Sequence, residues 1–171
     1  YTRFIKKVLL DHQNDNFISK NPLHSLRLNY LMRKFPGARF IHIVRNPIEV
    51  IPSTIRLWQI VGAQNNLKQQ FKEPSLRVVA RTYGMFLERI RNFSLNLDES
   101  HYIEIDFKDL KANPKGTIKR IYKQMNLDYS VQFDQSIDKL LNELSNYKQN
   151  SYNLTDMERQ EIMDITGWKV K

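Results

Sequence analysis

The sequence predicts an α/β domain, a parallel β-sheet flanked by helices. Three observations carry that prediction. Residues 39–44 (RFIHIV) are almost continuously apolar between a Pro-Gly turn and a proline, as a strand buried within a parallel sheet is. Residues 101–105 (HYIEI) alternate as a half-buried strand. Between and around them lie segments whose apolar side chains recur at helical spacing.

Taken in order, residues 3–10 (RFIKKVLL) read as an amphipathic helix, and 11–16 as a polar turn. Residues 17–19 predict the end of a further strand. Pro22 opens a helix, because a missing N–H needs no partner in the first turn. Leu23, Leu26, Tyr30 and Leu31 form its apolar face, widened by Leu28 and Phe35, and Pro36-Gly37 ends it. Behind strand 39–44 a helix starts at once, with Asn46 as N-cap and Pro47 as first residue. It runs to about Val61 with Pro52 inside. Residues 62–75 are polar and read as a loop. Leu76 to Leu95 forms a long helix carrying Val79, Tyr83, Phe86 and Ile90 on one face. Asn113-Pro114 caps a helix with Ile118, Ile121, Tyr122 and Met125 inward, and residues 133–144 form another. Thr155-x-x-Glu158 is a capping box opening the last helix. Three strands are few for a parallel sheet. We therefore expect further strands N-terminal to Tyr1, and residues 1–171 to be the C-terminal major part of one domain.

The chain has 171 residues, 41% hydrophobic and 26% charged, enough apolar material for a packed core rather than a disordered tail. No run approaches the roughly 20 apolar residues of a membrane-spanning helix. With no cysteine, these residues supply neither a disulfide, a thiolate metal site nor a thiol nucleophile. That leans toward a reducing compartment, so a cytoplasmic location is expected, or the Golgi lumen if the source is eukaryotic. The net charge of +9 and pI near 9.7 favour anionic partners. The basic residues are spread along the chain with no block of five or six, which argues against a disordered nucleic-acid tail; no nucleic-acid partner is expected. Neither a Walker loop nor a dinucleotide-binding glycine fingerprint occurs. His42 reads as a packed core histidine, and Glu49 and Arg56 as a solvated helix face. His12 and His101 lack carboxylate or histidine neighbours at ligand spacing, so no metal is expected.

Chemistry concentrates between Lys20 and Ser53. Lys20 follows one strand and Arg45 ends the next, so both fall at the carboxyl edge of the sheet, where open α/β sheets bind ligands. Arg45 also stands beside a helix N-terminus, where free N–H groups and the helix dipole favour anions. Its planar fork suits two phosphate oxygens. Ser53 lies two turns into that helix, directly after Pro52, whose kink would tip the hydroxyl toward the mouth of the sheet.

The stretches FISKNPLHSLRL and FPGARFIHIVRNPIEVIPST resemble the sulfotransferase family that uses 3′-phosphoadenosine 5′-phosphosulfate (PAPS). The likeness is to its branch with a K-x-P-x-H segment followed by F-P-x-A-x-F-I-h-x-x-R-D/N-P. YIEIDFKDLKANPKGTIKRIYKQMNL resembles a later family segment, and NYKQNSYNLT its C-terminal region; the likeness runs over most of residues 17–168. The resemblance implies a P-loop-like three-layer fold, PAPS as co-substrate without a metal, and a hydroxyl or amine acceptor (sugar, lipid, peptide or small molecule). It implies that Arg45 and Ser53, eight residues apart, hold the 3′-phosphate. Phe107 stands where the family often has Tyr and would lie near the adenine. The family's R-K-G phosphate element is not visible, and Lys148 is its substitute here. Its Gly-rich phosphosulfate loop is also absent, and we expect it upstream. For the transfer itself, Lys20 is the candidate cation on the bridging oxygen. His24, one helical turn after Lys20, is the candidate base, with a Glu upstream of these residues as the alternative. Two other readings stand beside this one: a non-catalytic polyanion- or nucleotide-binding module, and another P-loop-type transferase or kinase.

Overall fold

The computed structural model describes residues 2–12, 16–65, 74–146 and 148–168. Two strands occur among them, β1 (Phe40–Val44) and β2 (Tyr102–Asp106). They pair in parallel, from Phe40 opposite Tyr102 to Val44 opposite Asp106. The chain between them contains α3 (Pro47–Asn65) and α4 (Leu76–Ser94), the crossover that parallel neighbours require.

Alternation puts Phe40, His42 and Val44 on one face with Tyr102, Glu104 and Asp106, and Ile41 and Ile43 on the other with Ile103 and Ile105. The second face packs on α6 (Pro114–Gln124): Ile103 and Ile105 form a core with Ile121 and Met125, flanked by Leu110 and Leu127. The first face meets α4, where the Phe93 ring lies edge-on to Phe40 with centroids 5.0 Å apart. The result is helix, sheet and helix in three layers, as expected. A second core joins Ile51 of α3, Val79 and Ala80 of α4, and Ile162 of α8 (Asp156–Thr166). Full burial of each such large aliphatic side chain contributes about 1.5–3 kcal/mol.

The remaining helices are α1 (Thr2–His12), a 3-10 turn (Pro22–Leu26), α2 (Leu28–Lys34), α5 (Phe107–Ala112) and α7 (Val131–Glu143). Capping explains most of the starts. Asn113 accepts from Gly116 N–H at 3.0 Å, and a side chain at residue 116 would collide with that carboxamide, so cap and glycine come as a pair. The Thr155–Glu158 capping box is present, and α8 ends at Gly167 with φ 61°, the left-handed stop that glycine allows. The α6–α7 contact is both aromatic and polar: the Tyr122 and Phe133 rings stack with centroids 4.8 Å apart, and Lys115 reaches Asp134 at 2.8 Å and Asp138 at 2.7 Å. Bonds from Lys115 and from the Tyr129 hydroxyl hold the Asp134 carboxyl well below the usual carboxylate range.

Several expectations are corrected. Residues 17–19 are irregular rather than a strand; an apolar triplet with no adjacent strand has no ladder to join. The helix opened by Pro22 is a short 3-10 turn, interrupted at Arg27 before α2 begins. Strand β1 is not buried on both faces, since Ile41 and Ile43 are 49% and 47% exposed. The 62–75 loop begins later, because α3 continues to Asn65; residues 66–73 lie outside those described. Helix α5 was not foreseen. At six residues it is too short to be stable alone, and it is held by the Asp106 side chain accepting from Lys108 N–H at 2.8 Å.

Candidate active site

The parallel register sets the site. Val44 and Asp106 end the two strands opposite each other, so the next residues, Arg45 and Phe107, emerge side by side at the carboxyl edge. The Arg45 guanidinium carbon lies 4.0 Å from the Phe107 ring centroid, a cation–π contact. One terminal nitrogen, Nη2, approaches Glu49 Oε2 at 3.4 Å, with both side chains more than a third exposed. At that length and exposure the pair contributes little. Nε is buried and has no partner among the described residues. The guanidinium is thus held in place but uses little of its five-donor fork, and a buried unmade donor is costly. An anion that takes two of these donors would relieve that cost.

The backbone at this corner is pinned from the opposite layer. The Tyr83 hydroxyl, on α4, donates to the Arg45 carbonyl at 2.7 Å. Burial pushes the phenol up to about 12, so it stays a donor at ordinary pH.

The helix N-terminus itself differs from expectation. Pro47 has no N–H. The Ile48 N–H goes to Asn46 Oδ1 at 3.0 Å. The Glu49 and Val50 N–H groups both reach the Asn46 carbonyl, at 2.9 and 3.1 Å. Asn46 therefore consumes the donors that were expected to face an anion. An anion at this corner would be met by side chains, with the helix dipole as background.

Ser53 is exposed and stands one turn beyond Glu49 on α3, while Arg45 lies two residues before that helix begins. α3 continues through Pro52. Thr54 bonds back to the Val50 carbonyl at 2.8 Å, the usual habit of a helical hydroxyl. The Ser53 hydroxyl has no partner among the described residues. Lys148 is exposed and lies in the irregular stretch that leads into α8. Its neighbour Gln149 donates to Glu49 Oε2 at 3.0 Å and accepts from Lys111 Nζ at 3.5 Å, which brings that segment to α3 and α5.

Lys20 and His24 belong to a separate stretch. Lys20 is irregular and exposed, and Asn21 caps the 3-10 turn that carries His24. The two do not sit one turn apart on a shared helix. That turn packs against α4, the helix that also pins Arg45. His24 Nε2 lies 2.8 Å from Ser19 Oγ. Burial, then the Arg27 charge, lowers its pKa below 6.5, so the imidazole is neutral at pH 7 and able to accept a proton.

The structure therefore joins Arg45 to Phe107 directly, and brings the segment of Lys148 to the same corner. Sequence reasoning missed Glu49, Tyr83, Gln149 and Lys111. Glu49 had been read as part of a solvated face, although its i+4 spacing from Arg45 was a legible signal. Tyr83 and Gln149 reach the site from 38 and 100 residues away, which no local pattern announces. His101 does have a carboxylate neighbour: Asp98 Oδ1 is 3.0 Å from its Nδ1, and bonds from Ser100 and His101 hold Asp98 near 2. His42 is only partly the packed core residue expected, since its Nδ1 lies 3.3 Å from Glu104 Oε2 on β2. Among the described residues no three His, Asp or Glu side chains converge on one point, and no helix is long and apolar enough to cross a membrane.

Comparison with known proteins bears on this arrangement. Residues 2–131 match the sequence profile described as "Sulfotransferase family". Over 162 residues the chain is 32% identical to the omega-hydroxy-beta-dihydromenaquinone-9 sulfotransferase Stf3 of Mycobacterium bovis. The same holds for Stf3 of Mycobacterium tuberculosis, and in each case 95% of this chain is covered. Sulfotransferase 2A6 of Mus musculus is 26% identical over 106 residues, 58% of this chain and 34% of its own. The chain spans 41% of the length of the mycobacterial relatives. A solved sulfotransferase domain from the curacin biosynthetic pathway aligns over 88% of this chain and 60% of its own, with a TM-score of 0.48 and 18% identity.

Proposed function

Because the chain belongs to the sulfotransferase family, we propose that it carries the 3′-phosphate-binding and acceptor-activating part of an enzyme that moves a sulfuryl group from PAPS to a hydroxyl or amine. The observation that carries this reading is the state of Arg45. Its guanidinium is fixed on Phe107 at the strand ends, with a buried Nε–H that has no acceptor among the described residues. The Ser53 hydroxyl, without a partner among the described residues, stands on α3, the helix that starts two residues after Arg45. Arg45 and Ser53 hold the 3′-phosphate, Phe107 supports Arg45 beside the nucleoside, and Lys148 adds positive charge from the C-terminal segment.

In the transfer, the acceptor oxygen or nitrogen forms a bond to sulfur as the bond from sulfur to the 5′-phosphate oxygen breaks. The electron pair leaves on that oxygen, giving adenosine 3′,5′-bisphosphate. Lys20 stabilises the charge developing there, and neutral His24 takes the acceptor's proton. The Stf3 relatives' name gives a hydroxylated menaquinone as acceptor. An acceptor with an apolar body suits this chain too, since Leu57, Trp58, Ile60 and Val61 are all exposed farther along α3.

Calorimetry of the intact protein tests the assignment. Adenosine 3′,5′-bisphosphate should bind at least about 10-fold more tightly than adenosine 5′-phosphate, the worth of one charge-assisted phosphate contact. Equal affinities, combined with a steep loss of binding in salt, would instead mark a general polyanion-binding module.

A further inference from the structure

Three chain segments meet around Arg45. The first is the start of α3, with Glu49. The second is α5, which begins at Phe107 and carries Lys111 four residues on, on the same side of the helix. The third is the irregular stretch before α8 that contains Gln149. Gln149 links the other two: its Nε2 donates to Glu49 Oε2 at 3.0 Å, and its Oε1 accepts from Lys111 Nζ at 3.5 Å. Charge dictates that orientation of the amide, nitrogen toward the carboxylate and oxygen toward the ammonium. The side chains close a ring, running Arg45, Glu49, Gln149, Lys111 and back through α5 to Phe107 and Arg45.

The ring holds two cations and one carboxylate. Glu49 is shared by Arg45 and Gln149 through the same oxygen. Lys111 has no carboxylate partner among the described residues, and the oxygen it touches is a neutral amide. An ammonium kept at a rim by a neutral acceptor retains its charge for another ligand.

We propose that Lys111 is a second cationic contact for the phosphate at Arg45, with Gln149 as the positioning residue that turns it toward the ring. This rests on the phosphate assignment above and adds to it a residue from α5. The dianionic charge of the phosphate is then met from two sides, by a fork on α3's side and a point charge on α5's.

Affinities of adenosine 3′,5′-bisphosphate and adenosine 5′-phosphate for the wild-type chain, Lys111→Ala and Lys123→Ala test this. Lys123 lies in the last turn of α6, and its loss changes net charge equally. Lys111→Ala should weaken the bisphosphate about 5-fold or more, as loss of a charge-assisted contact does, with little change for the monophosphate. Lys123→Ala should leave both nearly unchanged. If Lys111→Ala behaves as Lys123→Ala while the wild-type chain still prefers the bisphosphate, the role of Lys111 is overturned and the Arg45 site stands. If the wild-type chain shows no preference, the phosphate site and this inference fall together.

Discussion

Arg45→Ala is expected to weaken adenosine 3′,5′-bisphosphate binding by about 2 kcal/mol or more, roughly 30-fold, through loss of a charge-assisted double contact. Folding stability should barely change, and the signs show why. The substitution removes a long, exposed pair with Glu49 at 3.4 Å, worth at most about 1 kcal/mol. It also removes a stacked contact on Phe107, worth about 0.5–1 kcal/mol. Against these losses it deletes a buried Nε–H that has no acceptor among the described residues, which is a gain. A side chain that contributes so little to the free protein but much to the complex is the mark of a binding group. Titration calorimetry with a parallel thermal melt separates the two quantities. Unchanged affinity would reject the assignment of Arg45.

His24→Ala is expected to lower single-turnover sulfuryl transfer by about 100-fold or more, the usual worth of a general base, while nucleotide affinity stays as in the wild-type chain. The pH profile supplies a second check. The base acts in its neutral form, so the rate rises with pH as the imidazolium loses its proton. Burial and the Arg27 charge both disfavour the imidazolium, so the midpoint of the rise lies on the acid side of an ordinary imidazole's. The variant should lose that acidic limb. Transfer at the wild-type rate would remove His24 as the base and leave Arg45 untouched.

What was legible in the sequence was what short-range physics decides. RFIHIV and HYIEI became β1 and β2 within one residue at each end, because apolar composition and flanking turns act locally. Asn113 and Thr155 cap as read, since a cap needs only its own next three residues. The inward face of α4 is also as read, with Val79 and Ile90 buried. The failures needed information from elsewhere in the fold. The burial of Ile41 and Ile43 depends on what covers that end of the sheet. The short helix α5 exists through tertiary support. The free N–H groups anticipated at α3 are absent because Asn46 engages them with both its side chain and its carbonyl, a detail that residue type alone does not fix. The Arg45–Phe107 contact is intermediate: family resemblance named both residues, but only the strand register explains why they touch.

A crystal structure of the intact protein with adenosine 3′,5′-bisphosphate tests the central claim most directly. The account predicts 3′-phosphate oxygens about 2.7–3.2 Å from the Arg45 guanidinium and the Ser53 hydroxyl, with Arg45 turned away from Glu49. A phosphate bound elsewhere, with Arg45 still resting on Phe107 and Glu49, would contradict it.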